Sequence, residues 1–326
     1  MFLIALFVTN IILVIVIKLY NKVTTGVCRC TKHLVGKVVI ITGGNKGIGY
    51  ETAKDLAQRG ARVILACRNE GRGTVARDQI IASTGNSDVH YRELDLSSLA
   101  SVRAFADGII KSEKRLDILI NNAGIYDVGN VKTEDGFSII MQTNHLGPFL
   151  LTTLLLPLLK TSAPSRIINV SSMLHRRGKI DFDNFNLEKE TEETYNVHKV
   201  YATTKLCNIL MTTELTRRLK GTGVTANSLH PGVVESDILI KWESSWIKYL
   251  MPVLKYFFKT TWEGAQTTIY LTVSPEVEEV SGKYYSDCHE SPALSISRDP
   301  EVARKLWDIS ENLVGVKKGY KAVPTR

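Results

Sequence analysis

The stretch Lys37–Gly49, KVVIITGGNKGIG, constrains the fold more than any other part of the chain. Lys37–Thr42 is rich in β-branched residues and reads as a strand ending in a glycine cluster. Tyr50–Arg59 carries apolar residues at helical spacing (Ala53, Leu56, Ala57) and stops at Gly60, as a helix end should. Between them, Gly43, Gly47 and Gly49 let the backbone turn sharply and approach a pyrophosphate. The helix that follows offers free N–H groups and the positive end of its dipole. The spacing is G-x-x-x-G-x-G, which differs from the common G-x-G-x-x-G dinucleotide fingerprint. A strand before the loop and a helix after it are the context that phosphate binding requires.

The same alternation continues to the end. Arg62–Ala66, Val89–Leu94, Leu116–Asn121, Arg166–Val170 and Val224–Leu229 read as further strands, with long apolar helical segments between them. Alternating strands and helices imply an α/β fold: one Rossmann-like, doubly wound domain with a parallel sheet covered on both faces. No repeat or Pro/Ser-rich linker interrupts it, so residues 37–326 are expected to form a single catalytic domain. With 44% hydrophobic and 23% charged residues, the chain can bury a full core unaided. The five cysteines (Cys28, Cys30, Cys67, Cys207, Cys288) are odd in number and scattered, which reads as reduced thiols in the cytosol. Cys28 and Cys30 form C-x-C rather than C-x-x-C, and no metal is expected.

The segment before this domain has a different character. From Met1 to Ile17 no side chain is charged; Lys18, Lys22, Arg29, Lys32 and Lys37 then follow. As a helix, 17–20 residues span roughly 26–30 Å, about the hydrocarbon core of a bilayer. A cleaved signal peptide would carry its basic residues first and a small-x-small site afterwards. Residues 1–20 are therefore expected to be an uncleaved membrane anchor and 21–36 a basic linker. By the positive-inside rule the domain faces the cytosol, with the endoplasmic reticulum as the expected membrane. Shallow, monotopic insertion is the alternative. The net charge of +8 suits a soluble basic surface or an anionic membrane. No zinc finger, basic helix or aromatic–basic patch points to nucleic acid.

Further motifs appear in order: ELDLSS with Asp95, the Asn121-Asn122-Ala123-Gly124 turn, Asn144 in QTNHLGPF, Ser172 in INVSS, Tyr201-x-x-x-Lys205, and Pro231-Gly232. With T-G-x-x-x-G-I-G, these resemble the short-chain dehydrogenase/reductase family from Gly36 to the C-terminus. The resemblance implies that a nicotinamide dinucleotide lies against Gly43, Asn45, Lys46, Gly47, Ile48 and Gly49 of the first loop. It extends this site to Asp95, Leu96, Asn122, Ala123 and Gly124, to Tyr201 and Lys205, and to Pro231, Gly232, Val234 and Ser236. It implies an acid–base role for Tyr201, supported by Lys205, with Ser172 binding the substrate oxygen and Asn144 holding a proton-relaying water.

The residue types agree with these roles. Tyr201 and Lys205 are four apart on a helix and so share a face. An ammonium one turn away, with the cationic oxidised nicotinamide, is expected to lower the phenol from its ordinary value near about 10. Where an acid after the second strand would select NAD, this chain has Ala66-Cys67-Arg68-Asn69. Arg68 can pair with a 2′-phosphate, so NADP(H) is expected, with Lys46 as a second cation nearby. Ser171 is the alternative to Ser172.

After Pro231-Gly232 comes an apolar, aromatic run through Phe258, including Trp242, Trp246 and Tyr249, that suits a lipophilic substrate drawn from the bilayer. The stretches GKVVIITGGNKGIG, LDILINNAG, HLGPFLLT, SLHPGVV, EGAQTTIYL and SGKYYSDC resemble the microsomal retinol dehydrogenase subgroup (retinal reductases). Departures are SSMLHRRG in place of SSxAHHxG and YATTK in place of YCHSK. The expected activity is NADPH-dependent reduction of all-trans-retinal. A hydroxysteroid or fatty aldehyde is the alternative substrate, and a non-catalytic nucleotide-binding scaffold the alternative class. A homodimer is compatible with the chain, but no residue pattern specifies one.

Overall fold

A computed structural model describes residues 22–126, 128–234 and 258–316. The expected anchor, Ser236 and nearly all of the apolar run after Pro231-Gly232 lie outside these residues.

The strands are β1 Val38–Thr42, β2 Arg62–Cys67, β3 Val89–Glu93, β4 Ile118–Asn121, β5 Ser165–Val170 and β6 Val224–His230. Two short ones follow, β7 Tyr284–Ser286 and β8 His289–Glu290. They form one sheet in the order β3-β2-β1-β4-β5-β6-β7-β8, parallel except for the final antiparallel pair. The strand order switches sides between β1 and β4, and this switch point opens the crevice where such sheets bind ligands.

Alternation along β1 divides the core. Val38 and Ile40 face one layer, with helices α3 (Leu99–Ser112), α4 (Gly147–Thr161), α5 (Val197–Arg218) and α7 (Pro300–Leu313). Val39 and Ile41 face the other, with α1 (Gly47–Gln58), α2 (Glu70–Thr84) and α6 (Thr261–Val273). Residues 139–161 are long and apolar enough to cross a membrane, but most of that stretch is buried in the first layer. This is the three-layer, Rossmann-like arrangement expected of a chain that alternates strand and helix.

Two features were not expected. β7 and β8 are too short for any periodic signal. The described part of the presumed linker packs along the domain: Leu34 is buried and donates its N–H to Arg59 O at 2.8 Å, and Arg59 Nη1 donates to Cys30 O at 2.7 Å.

Asp117, just before β4, pins the start of the sheet. Its buried carboxylate accepts the Val38 N–H (2.9 Å), Lys37 Nζ (2.9 Å) and two Arg115 nitrogens (2.8 and 2.6 Å). Burial alone would raise this carboxyl, but the bonds from Arg115, Lys37 and Val38 outweigh it and hold the pKa below the ordinary value. Asp117→Ala is therefore expected to lose about 2 kcal/mol near neutral pH, read as a lower midpoint of thermal unfolding. Because the folded pKa is depressed, this contribution is present above the unfolded value of about 3.9 and vanishes as pH falls through the folded value. The variant and wild type should converge in acid.

Candidate active site

The first loop and the turn after β4 are built as one unit. Thr42 Oγ1 accepts the N–H groups of Asn122 and Ala123, both at 3.0 Å. Asn122 Nδ2 donates back to Thr42 O at 2.9 Å. Gly43 adopts φ 67°, a left-handed conformation open to glycine. Gly49 sits so close beneath it that a Cβ would lie 2.3 Å from Gly43 O. Lys46, the N-cap of α1, makes no side-chain capping bond, which leaves the first N–H groups of the helix for an anion. This glycine cradle and its helix start fit a dinucleotide pyrophosphate.

From the cradle a cavity of about 800 Å³ runs both ways along the carboxyl ends of the strands. Toward β2 it is lined by Ala66, Cys67 and Arg68, and by Leu94, Asp95 and Leu96 after β3. The Arg68 side chain is 70% exposed and lies 3.8 Å from the Asp95 carboxylate, a loose pairing that leaves the guanidinium accessible. Asp95 is oriented by Ser97, whose N–H and hydroxyl both donate to Oδ1 (2.9 and 2.6 Å). Toward β6 the lining passes Gly124, Ser172, Tyr201 and Lys205 to Pro231, Gly232 and Val234. Asn45, Lys46, Gly47, Ile48, Asn122 and Ala123 line its middle. Thus every proposed cofactor residue within the described part faces one continuous space.

Tyr201 and Lys205 share a buried face of α5. Lys205 Nζ donates to Val170 O at 3.1 Å and lies 5.4 Å from the centre of the Tyr201 ring. Ser172 lines the same cavity as Tyr201, and its Oγ accepts the Leu174 N–H at 3.2 Å. Ser171 instead is buried and donates to Lys205 O at 2.7 Å, so the two serines divide between site and scaffold.

Burial acts on both ionisable groups of this pair. It pushes the Tyr201 phenol well above its ordinary value, offset only in part by Ser172. The same burial pulls Lys205 down to about 8. Shielding from water penalises the charged form of each group.

Asn144 is placed by a π turn, Gln142–Leu146, that leads into α4. Such turns often mark functional sites. Its side chain closes on Ile125: Oδ1 accepts the Ile125 N–H (2.8 Å), and Nδ2 donates to Ile125 O (2.9 Å) and faces Thr204 Oγ1 at 3.3 Å. Asn144 is fully buried and does not line the cavity, and both ends of its amide are taken up by these partners.

Several neighbours were not singled out from sequence. The Tyr126 ring packs edge-on to Tyr201, centres 5.0 Å apart at 85°, and its hydroxyl pairs with His198 Nδ1. His175 is buried; its Nδ1 contacts Ser172 O at 2.7 Å and its Nε2 accepts the Leu294 N–H at 3.2 Å. These partners require the neutral Nδ1–H tautomer, and burial, which lowers the imidazole pKa, keeps it neutral. His175 thereby fixes the turn that carries Ser172. The wall beyond Ser172 adds Met173, Leu174, Arg176 and Arg177.

Comparison with known proteins identifies the family. The profile of the short chain dehydrogenase family matches residues 37–185. Human retinol dehydrogenase 11 is 48% identical over 296 residues, which cover 91% of each chain. A crystal structure of an uncharacterized protein from Mycobacterium paratuberculosis superposes with a TM-score of 0.69 and 33% identity, covering 87% of this chain and 95% of that one. A blue fluorescent protein from a metagenomic library, solved in complex with NADPH, gives a TM-score of 0.61 and 26% identity over 78% of this chain and 96% of its own. The chain belongs to the short chain dehydrogenase family, in its retinol dehydrogenase subgroup, and is an oxidoreductase acting on CH–OH donors that uses a nicotinamide cofactor.

Proposed function

We propose that this enzyme reduces a lipophilic aldehyde with NADPH, with all-trans-retinal as the leading substrate, from the cytosolic face of the endoplasmic reticulum. The observation that carries the reading is a single cavity with Arg68 at one end and Tyr201, Ser172 and Lys205 toward the other. The cradle of Gly43–Gly49 would hold the pyrophosphate and Arg68 the 2′-phosphate. When bound, the reduced nicotinamide supplies a hydride to the carbonyl carbon. Ser172 Oγ donates a hydrogen bond to the carbonyl oxygen, and the Tyr201 hydroxyl gives that oxygen its proton as negative charge develops. Lys205, one turn along α5, then stabilises the phenolate that remains until a solvent proton restores it. The names of the retinol dehydrogenase relatives favour a retinoid over a steroid or fatty aldehyde, while the apolar run after Pro231-Gly232 suits any of the three. Competition among all-trans-retinal, a ketosteroid and a long-chain aldehyde tests this. The highest kcat/KM should fall to retinal, and a clear preference for the ketosteroid would overturn the substrate assignment.

Domain organisation belongs to the same proposal: residues 1–20 anchor the chain, and the catalytic domain that follows faces the cytosol. Cytosolic NADP is kept mostly reduced, which favours the reductive direction there. Deletion of residues 1–20 should release the protein from membranes and leave its intrinsic kinetics largely intact, since no proposed site residue precedes Gly43. Protease added to sealed microsomes should digest the wild-type domain. Protection and glycosylation of the domain would reverse the topology and remove the basis for that direction.

A further inference from the structure

Two sequence stretches, EGAQTTIYL in α6 and SGKYYSDC at β7, have no part in the site described so far. The structure joins them at one point. Asp287 and Cys288 form the turn between β7 and β8, both with left-handed φ (53° and 62°). Two-residue turns of that kind favour residues that tolerate positive φ, such as Asn-Gly or Asp-Gly. Such a conformation persists where its surroundings hold it in place. Here the Asp287 carboxylate accepts the Lys259 ammonium and, at 3.2 Å, the Gly26 N–H. The Cys288 N–H donates to Thr267 Oγ1 at 3.2 Å, and His289 Nδ1 contacts Asp287 O at 2.7 Å.

Lys259 leads from this turn to the cofactor cavity. Its N–H donates to Val233 O at 2.9 Å, and it bridges in parallel with Val234. Its alkyl chain lies across Gly232, where a Cβ would come within 2.6 Å of Lys259 Cδ. Val234 is buried beneath Gly264 of α6; a Cβ on Gly264 would lie 2.6 Å from Val234 and 3.2 Å from Ile48 of the cofactor loop. The N-terminal segment closes the arrangement from outside: Cys28 N–H donates to Gln266 Oε1 at 3.1 Å, and a Cβ on Gly26 would lie 1.9 Å from Asp287 O.

We infer that Lys259 and Asp287 are positioning residues, a clasp that sets the Pro231–Val234 wall of the cofactor cavity and is locked by the N-terminal segment at Gly26. The clasp rests on the reading of that cavity as the nicotinamide site. β6, which carries the wall, lies across the sheet from β2 and Arg68. The wall therefore faces the part of the cofactor that NADPH and NADH share.

The test uses the full-length protein in detergent. Lys259→Met and Asp287→Asn should each raise the cofactor KM roughly tenfold, about the effect of one lost charge-assisted hydrogen bond. The kcat at saturating cofactor should change much less. Lys259→Arg should restore the wild-type KM. Gly26→Ala, which disturbs the clasp from the other side, should reproduce the defect although it lies far from the cavity. The loss should be the same factor for NADPH and NADH. If the variants lower only the thermal midpoint and leave the cofactor KM unchanged, the clasp is merely structural and the inference fails. If the enzyme instead prefers NADH, the cofactor assignment fails, while a raised KM for NADH in Lys259→Met would still support the clasp.

Discussion

Tyr201→Phe should lose most turnover, roughly 10²–10⁴-fold in kcat, the usual contribution of a positioned acid–base group. The substitution removes one oxygen from a buried ring and leaves its packing against Tyr126 and Lys205 in place. Loss of one hydroxyl hydrogen bond costs about 1 kcal/mol of stability, so the fold should survive. Cofactor binding should be nearly unchanged, because the cradle at Gly43–Gly49 and Arg68 is untouched. A normal dissociation constant for NADPH with almost no product is the expected pattern, measured by nucleotide fluorescence beside steady-state kinetics. Full activity in this variant would remove Tyr201 from the reaction.

Arg68→Asp should weaken NADPH far more than NADH. Loss of a charge-assisted pair with the 2′-phosphate is worth about 1.5–3 kcal/mol, or roughly 10–150-fold, and like-charge repulsion adds to it. The neighbouring Asp95 carboxylate complicates the aspartate variant, since it would face a second carboxylate where Arg68 now stands 3.8 Å away. Arg68→Gln serves as the control, removing the cation without adding an anion. Both variants should shift the ratio of kcat/KM values toward NADH, the aspartate further. Equal losses for the two cofactors would show that Arg68 does not read the phosphate.

The parts of this molecule legible in its sequence are those whose physics is local. The β-branched run at Lys37–Thr42 and the glycines that follow describe a strand, a turn and a helix start without reference to anything distant. The four-residue spacing of Tyr201 and Lys205 places them on one face for the same reason. The burial of Tyr201 and Lys205 was not legible, because spacing reports that they share a face but not what covers it. Tyr126 and His198 are 72 residues apart and of common types, so no local pattern pairs them. The docking of Gly26 on Asp287 spans 261 residues and turns what reads as a linker into part of the domain's surface. β7 and β8 carry too few residues to show a period, and they acquire their positions from β6.

The central claim is that NADPH is consumed in reducing a lipophilic carbonyl at Tyr201. Its most direct test incubates purified, detergent-solubilised full-length protein with NADPH and all-trans-retinal, measuring retinol and NADP together by chromatography. The account predicts one retinol formed for each NADPH oxidised, and neither product in Tyr201→Phe. Tight binding of NADPH with no consumption, for retinal and for every other lipophilic carbonyl offered, would contradict it and leave a nucleotide-binding scaffold in its place.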